Sequence, residues 1–245
     1  MINIFNKIRQ KLLSENKFNK YLIYAIGEIV LIVIGILIAL SINNANDVKN
    51  KRQKELALLT EMSQNLQTDL RDLDFNIKGS AKRIQANEII LKTLQERVSM
   101  HDSLKPYYAN IIGNYQLSNN TAAWENLKSV GMDLVSKDSL RNAISNLYTV
   151  RYTYLENVTK GLDDGQQWNT FYPQFLDLIN VEQFWVSAEP VSHVALMDNR
   201  KFQETLKMNL VIRNYMLNQY NTIHKDVNLL LDQIDRHILT LNNER

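Results

Sequence analysis

Residues Leu22–Ile42 read LIYAIGEIVLIVIGILIALSI, an apolar run whose single charge is Glu28. At about 1.5 Å per residue the run reaches about 31 Å as a helix, close to the hydrocarbon thickness of a bilayer. A secretory signal has an apolar core of only about 7–15 residues, closed by a small-residue cleavage site. This run is longer and ends in Ser41-Ile42-Asn43-Asn44. It predicts a retained transmembrane helix over residues 21–42, with a polar tail, residues 1–20, on one side and a water-soluble part on the other.

The flanks set the orientation. Lys7, Arg9, Lys11, Lys17 and Lys20 precede the run, and Lys49, Lys51, Arg52 and Lys54 follow it. Counted by the positive-inside rule the two sides nearly tie, but long downstream domains cross largely regardless of charge. Keeping the cationic tail in the cytoplasm therefore costs less, which predicts an external C-terminal domain. In the tail, Phe5, Ile8 and Leu12 share one helical face while Lys7, Arg9 and Lys11 point elsewhere. Such a basic amphipathic helix lies among lipid headgroups, although a frayed cationic tail accounts for the same residues equally well.

Within the run, Tyr21, Ala25, Glu28, Ile32, Gly35, Ala39 and Ile42 recur at alternating spacings of four and three and so share one stripe. Small residues let helix backbones approach closely in lipid. An ionised carboxylate there costs roughly 3 kcal/mol on insertion scales and should face protein or water. Ala25, Glu28, Ile32, Gly35 and Ala39 thus form a candidate membrane seam between copies of the chain. Glu28 snorkelling toward the interface, or resting protonated, is the plainer alternative.

Beyond the membrane, only 7 Gly and 3 Pro in 245 residues favour long helices over a many-turned β fold. After a polar hinge at Asn43–Asn50, one face carries Leu59, Met62, Leu66, Leu70, Leu73, Ile77, Ala81, Ile84, Glu88, Leu91, Gln95 and Val98, repeating every eleven residues. A kink is expected at Gly79-Ser80. The C-terminal segment alternates four and three from Leu206 through Leu210, Arg213, Leu217, Tyr220, His224, Val227, Leu231, Ile234 and Ile238 to Leu241, a coiled-coil pattern. The expected fold is mainly α. One transmembrane helix leads to an antiparallel helical stalk, made of residues 43–99 and 199–245, and a helical, aromatic-rich head, residues 100–198. In the head, a helix is expected from Asp138 to Gly161, a shorter one through Trp124 and Leu127, and no large sheet. With Val98 near Gln203 and Leu59 near Asn242, equal rise per residue sets Glu88 opposite Arg213 as a polar pair within the stalk.

Chemical signatures are sparse. There is no cysteine, hence neither disulfide nor thiolate metal site. His101, His193, His224 and His237 stand apart without zinc-ligand spacing, and His237 reads as solvated. Asp163-Asp164-Gly165 lacks the alternating acids of a calcium loop and reads as a turn. Gly-rich phosphate loops and Gly-x-Ser-x-Gly elbows are missing. A net charge of +2 offers nucleic acid no field. The expectation is therefore no cofactor, no metal, no catalytic residues and no nucleic-acid partner.

The run from Arg9 through KLLSENKFNKYLIYAIG to Glu28, continuing through IGILIAL to Asn44, resembles an uncharacterised family of Bacteroidota single-pass membrane proteins, a domain of unknown function. The likeness is looser at Ala123–Ser129 and Asp138–Arg141, and Ala45 stands where family members often carry Trp. It implies a bacterial inner-membrane protein and no activity. Together these readings predict a non-enzymatic, membrane-anchored, homo-oligomeric scaffold or interaction protein with a periplasmic domain, its partners being the bilayer and other copies. Two alternatives stay open. One is a stator-like subunit of an ion-driven inner-membrane complex that uses Glu28 beside a multi-pass partner, an analogy of architecture alone. The other is a ligand sensor with an aromatic head.

Overall fold

The computed structural model describes residues 18–243, and the calls made on the N-terminal tail lie outside the described residues apart from its last three. The fold is mainly helical. Helix α1 is Phe18–Gln95, α2 Lys105–Tyr108 and α3 Ala122–Val130. A continuous helix, α4, spans 138–178; strands β1, Ile179–Gln183, and β2, Ser187–Pro190, form an antiparallel hairpin. Helices α5, His193–Asp198, and α6, Arg200–Asn243, complete the chain.

Contacts divide the chain into two compact units, Met1–Lys54 and Glu55–Arg245. In the first, α1 is long and apolar enough to cross a membrane: an 18-residue window has mean hydropathy 2.8 and none of it is buried. The expected hinge at Asn43–Asn50 is helical instead. No Pro or Gly interrupts it, and Asn43 donates to Asp47 one turn on, at 3.1 Å, which supports helix rather than breaking it. The helix also runs unbroken through Gly79-Ser80. Gly79 is where the Tyr115 ring packs directly on the α1 backbone, in space a Cβ would fill.

In the second unit α1 and α6 run antiparallel. Ser63 donates to Asp235 at 3.0 Å, Asp74 meets His224 at 3.2 Å, and Asn209 donates to Asn87 at 2.9 Å. This register differs from the expected one by about one helical turn: the expected register puts Asn87 opposite Asn214, whereas it faces Asn209. Residues 100–198 are not a separate head. Trp124 and Leu127 of α3 and Leu140, Ile144, Leu147, Tyr152 and Leu155 of α4 share one apolar core with Leu59, Leu66 and Leu73 of α1 and Met216, Ile223, Val227 and Ile234 of α6. A second core joins Ile90 and Leu94 of α1 to Tyr108, Ile111, Phe171, Phe175, Phe202 and Leu206. The reason lies in α6, where Ile212, Met216, Ile223 and Leu230 are buried beside the expected stripe. A buried band that wide needs a third layer to cover it, unlike a two-helix coiled-coil seam.

Helix α4 runs past its expected end at Gly161 because it contains three π-helical segments, Leu147–Tyr152, Thr159–Asp164 and Gln167–Phe171. Buried residues fall every fourth position at Leu155, Thr159, Asp163, Gln167, Phe171 and Phe175. A regular α-helix at about 3.6 residues per turn would carry such a series around its axis; the wider π turns hold it on one face. The last π segment also precedes Pro173, which has no N–H to give the ladder.

Candidate functional site

The five residues of the candidate seam belong to the first unit. Ala25, Glu28, Ile32, Gly35 and Ala39 lie on unbroken helix, so their spacing of three and four does place them on one face. Ala25 and Glu28 are half-buried, while Ile32, Gly35 and Ala39 are exposed. A Cβ at Gly35 would meet open space. The face is thus flat around Gly35 and Ala39, with a carboxylate about two turns from the glycine.

The second unit holds a feature that reading for apolar stripes overlooked: a buried polar layer between the two cores. Its origin is the irregular segment 110–120, which runs against α1 and α6 and brings backbone groups that must be satisfied out of water. The Ile111 carbonyl accepts from Asn87 at 3.1 Å and from Asn209 at 3.0 Å. The Ile112 carbonyl accepts from Arg83, the Gly113 carbonyl from Arg213 at 3.4 Å, the Tyr115 carbonyl from the Tyr220 hydroxyl, and the Gln116 carbonyl from Asn76 at 3.0 Å. Carboxylates serve the N–H groups: Ser118 N–H donates to Asp72 and Asn120 N–H to Asp69, both at 2.8 Å. Gln167 of α4 closes the layer, accepting from Gly113 N–H at 2.9 Å and donating to Asn209 at 2.7 Å.

Charge in this layer does not follow the expected pair. Glu88 is exposed on α1, whereas Arg213 is buried on α6, and its carboxylate partner is Asp163 of α4. Asp163, expected in a turn, lies in α4 instead and is fully buried because a π segment turns it inward. Burial pushes the Arg213 guanidinium down to about 10, and nearby Arg83 adds to that, so it is charged at neutral pH. Burial also lowers Arg83. Asp69, which accepts from the Tyr152 hydroxyl at 2.6 Å, is pushed up to about 6, first by burial and then by neighbouring Asp72.

His237 is likewise buried, against the expectation of a solvated ring. Its Nε2 lies 2.9 Å from Oε1 of Glu55, the oxygen that also accepts from Ser136 Oγ at 2.9 Å. Nucleophile activation needs a base whose far nitrogen is held by the carboxylate. Here Ser136 and the histidine's Nε2 converge on one carboxylate oxygen, which is the geometry of a buried tie between α1, α6 and the loop before α4. His193 has both ring nitrogens engaged, with the Tyr108 hydroxyl at 2.9 Å and the Val98 carbonyl at 2.8 Å. Among the described residues, no group of three His, Cys, Asp or Glu is placed to hold a metal ion.

No curated protein and no solved structure matches the chain. A family match runs from Glu28 in the apolar run, through α1, the 110–120 segment and α3, to Asn169 in the last π segment of α4. It takes in Arg83, Asn87, Asp163 and Gln167 of the polar layer and stops short of α6, which supplies Asn209 and Arg213. Because residues 28–169 make up more than half of the sequence, the chain belongs to the family of unknown function DUF6090.

Proposed function

We propose that the chain is a non-enzymatic, single-pass interaction protein whose membrane helix self-associates through Ala25, Glu28, Ile32, Gly35 and Ala39. The observation that carries this reading is the open, small-residue face around Gly35 on a helix whose apolar residues are exposed on every side. Hydrocarbon is no poorer a solvent than leucine for the other faces. The flat face gains close backbone packing and gives Glu28 a protein environment. The cationic N-terminal flank sets the tail inside, and likeness to Bacteroidota membrane proteins supports a bacterial inner membrane with a periplasmic domain.

Because the sequence has no cysteine, single cysteines report without background. Cysteines at Ile32, Gly35 and Ala39 are expected to crosslink efficiently in membranes, and those at Ile34 and Leu37 poorly; equal yields at all five would reject the seam. Protease added to intact spheroplasts is expected to remove residues 50–245, and full protection would reverse the topology. Mild detergent extraction is expected to yield a homo-oligomer. Recovery of a multi-pass partner, with work lost in Glu28→Gln, would identify an ion-driven complex instead.

A further inference from the structure

Arg83 is 2% exposed, yet among the described residues no carboxylate lies within ion-pair distance of it. Its neighbours are the Ile112 carbonyl, the Tyr115 hydroxyl and two aromatic rings, with the guanidinium carbon 5.0 Å from the Tyr115 ring centre and 5.2 Å from that of Trp185. Its Nε is buried without a hydrogen-bond partner. Satisfying a carbonyl does not require this charge: Asn76, Asn87 and Asn209 do the same work along the same segment with neutral amides. Nearby Arg213 supplies a second guanidinium, and Asp163 answers only one of the two. Asp69 and Asp72 serve backbone N–H groups further along the segment, so Arg83 is a buried cation without a carboxylate of its own.

Its cover is unusual in backbone terms. Trp185 sits at the tip of the β1–β2 hairpin with φ +60°, a left-handed conformation that a bulky residue rarely adopts. Asn110 holds the Trp185 carbonyl at 2.9 Å, and the residue is 48% exposed, so one side of it faces solvent while its ring lies over Arg83. Gly113, at φ +92°, leaves room on the other side, where a Cβ would come within 3.2 Å of the guanidinium carbon.

We propose that Arg83 is a binding site for a small oxyanion, a carboxylate or phosphate group, with Trp185 as its displaceable cover. The planar fork of a guanidinium matches either group. A bound anion supplies the carboxylate-like partner that Arg83 lacks, and the exposed hairpin tip is the element that moves aside to admit it. The closed state competes with the ligand, so removing the cover removes that penalty on affinity. This site is independent of self-association in the membrane.

The test uses the full chain in detergent, titrated separately with inorganic phosphate and with acetate. Ionic strength is held constant with chloride, and thermal midpoint and tryptophan fluorescence are read. A saturable response to at least one oxyanion is expected, at least tenfold tighter in Trp185→Ala and at least tenfold weaker in Arg83→Lys, which keeps the charge and loses the fork. Silence from both anions in both the parent chain and Trp185→Ala would overturn the site, as would an unchanged response in Arg83→Lys. Should Arg83→Lys fail to fold, Trp185→Ala decides alone, since affinity equal to or below that of the parent would overturn the cover and the site with it.

Discussion

Arg213→Leu is expected to destabilise the full chain by about 3–5 kcal/mol, the cost typical of breaking a buried ion pair from one side. The loss comes less from the pair's own attraction than from what is left behind. Asp163 is fully buried on a π-helical turn, and Arg213 is the cation that answers it. Without the guanidinium the carboxylate must take up a proton or draw in water. Removing both charges together, as in Asp163→Asn with Arg213→Met, is expected to recover most of the loss, because well-packed neutral groups of similar volume replace buried pairs at little cost. Glu88→Leu, on an exposed position, should stay within about 0.5 kcal/mol. Thermal or denaturant unfolding of the single and double variants in detergent measures all of this. Coupling between Glu88 and Arg213, with none between Asp163 and Arg213, would restore the register that the stripes suggested and reject the one described above.

That contrast shows what could be read in the sequence. Helix α1, with its apolar N-terminal part long enough to cross a membrane, and α6 were legible because long apolar runs and periodicities survive in them, as was the helix through Trp124 and Leu127. The polar layer was not. On α1 the buried face continues at spacings of three and four through Leu66, Asp69, Leu73, Asn76, Ser80, Arg83, Asn87, Ile90 and Leu94. A stripe scored on apolar residues drifts instead to Ile77, Ala81, Ile84 and Glu88, and the drift hands Arg213 the wrong partner. The usable signal was the unbroken spacing itself, carried on through polar residues. Helix α4 offered less. Its buried face repeats every four residues because π turns reset the phase, and a rule built on 3.6 ends the helix at Gly161 and leaves Asp163 in a turn. No local residue preference announces a π turn, so only the aromatic and polar row Thr159, Asp163, Gln167, Phe171 and Phe175, four apart, hinted at it.

Asp69 gives the domain a pH dependence that a single substitution should abolish. Burial, with help from Asp72, holds its folded pKa at about 6, against an unfolded value near 3.8. The folded state therefore binds the proton more tightly than the unfolded state does. The resulting stabilisation is fully present below the unfolded pKa and is lost as pH rises through the folded one. The whole span is at most about 3 kcal/mol, of which about 1 kcal/mol returns between pH 7 and pH 5. Asp69→Asn keeps both hydrogen bonds: the amide oxygen accepts from Asn120 N–H, and the Tyr152 hydroxyl turns to accept from the amide nitrogen. That variant is expected to be more stable than the parent at pH 7, with the advantage closing as pH falls to 5. Tyr152→Phe is expected to act the other way, costing about 1–3 kcal/mol at pH 7 by leaving a buried carboxylate oxygen without its donor. The difference in unfolding free energy between the parent and Asp69→Asn, followed from pH 7 to pH 5, isolates this carboxylate from every other titrating group. A difference that stays flat across that window would mean that Asp69 titrates as an ordinary exposed aspartate and that the layer around it is open to water.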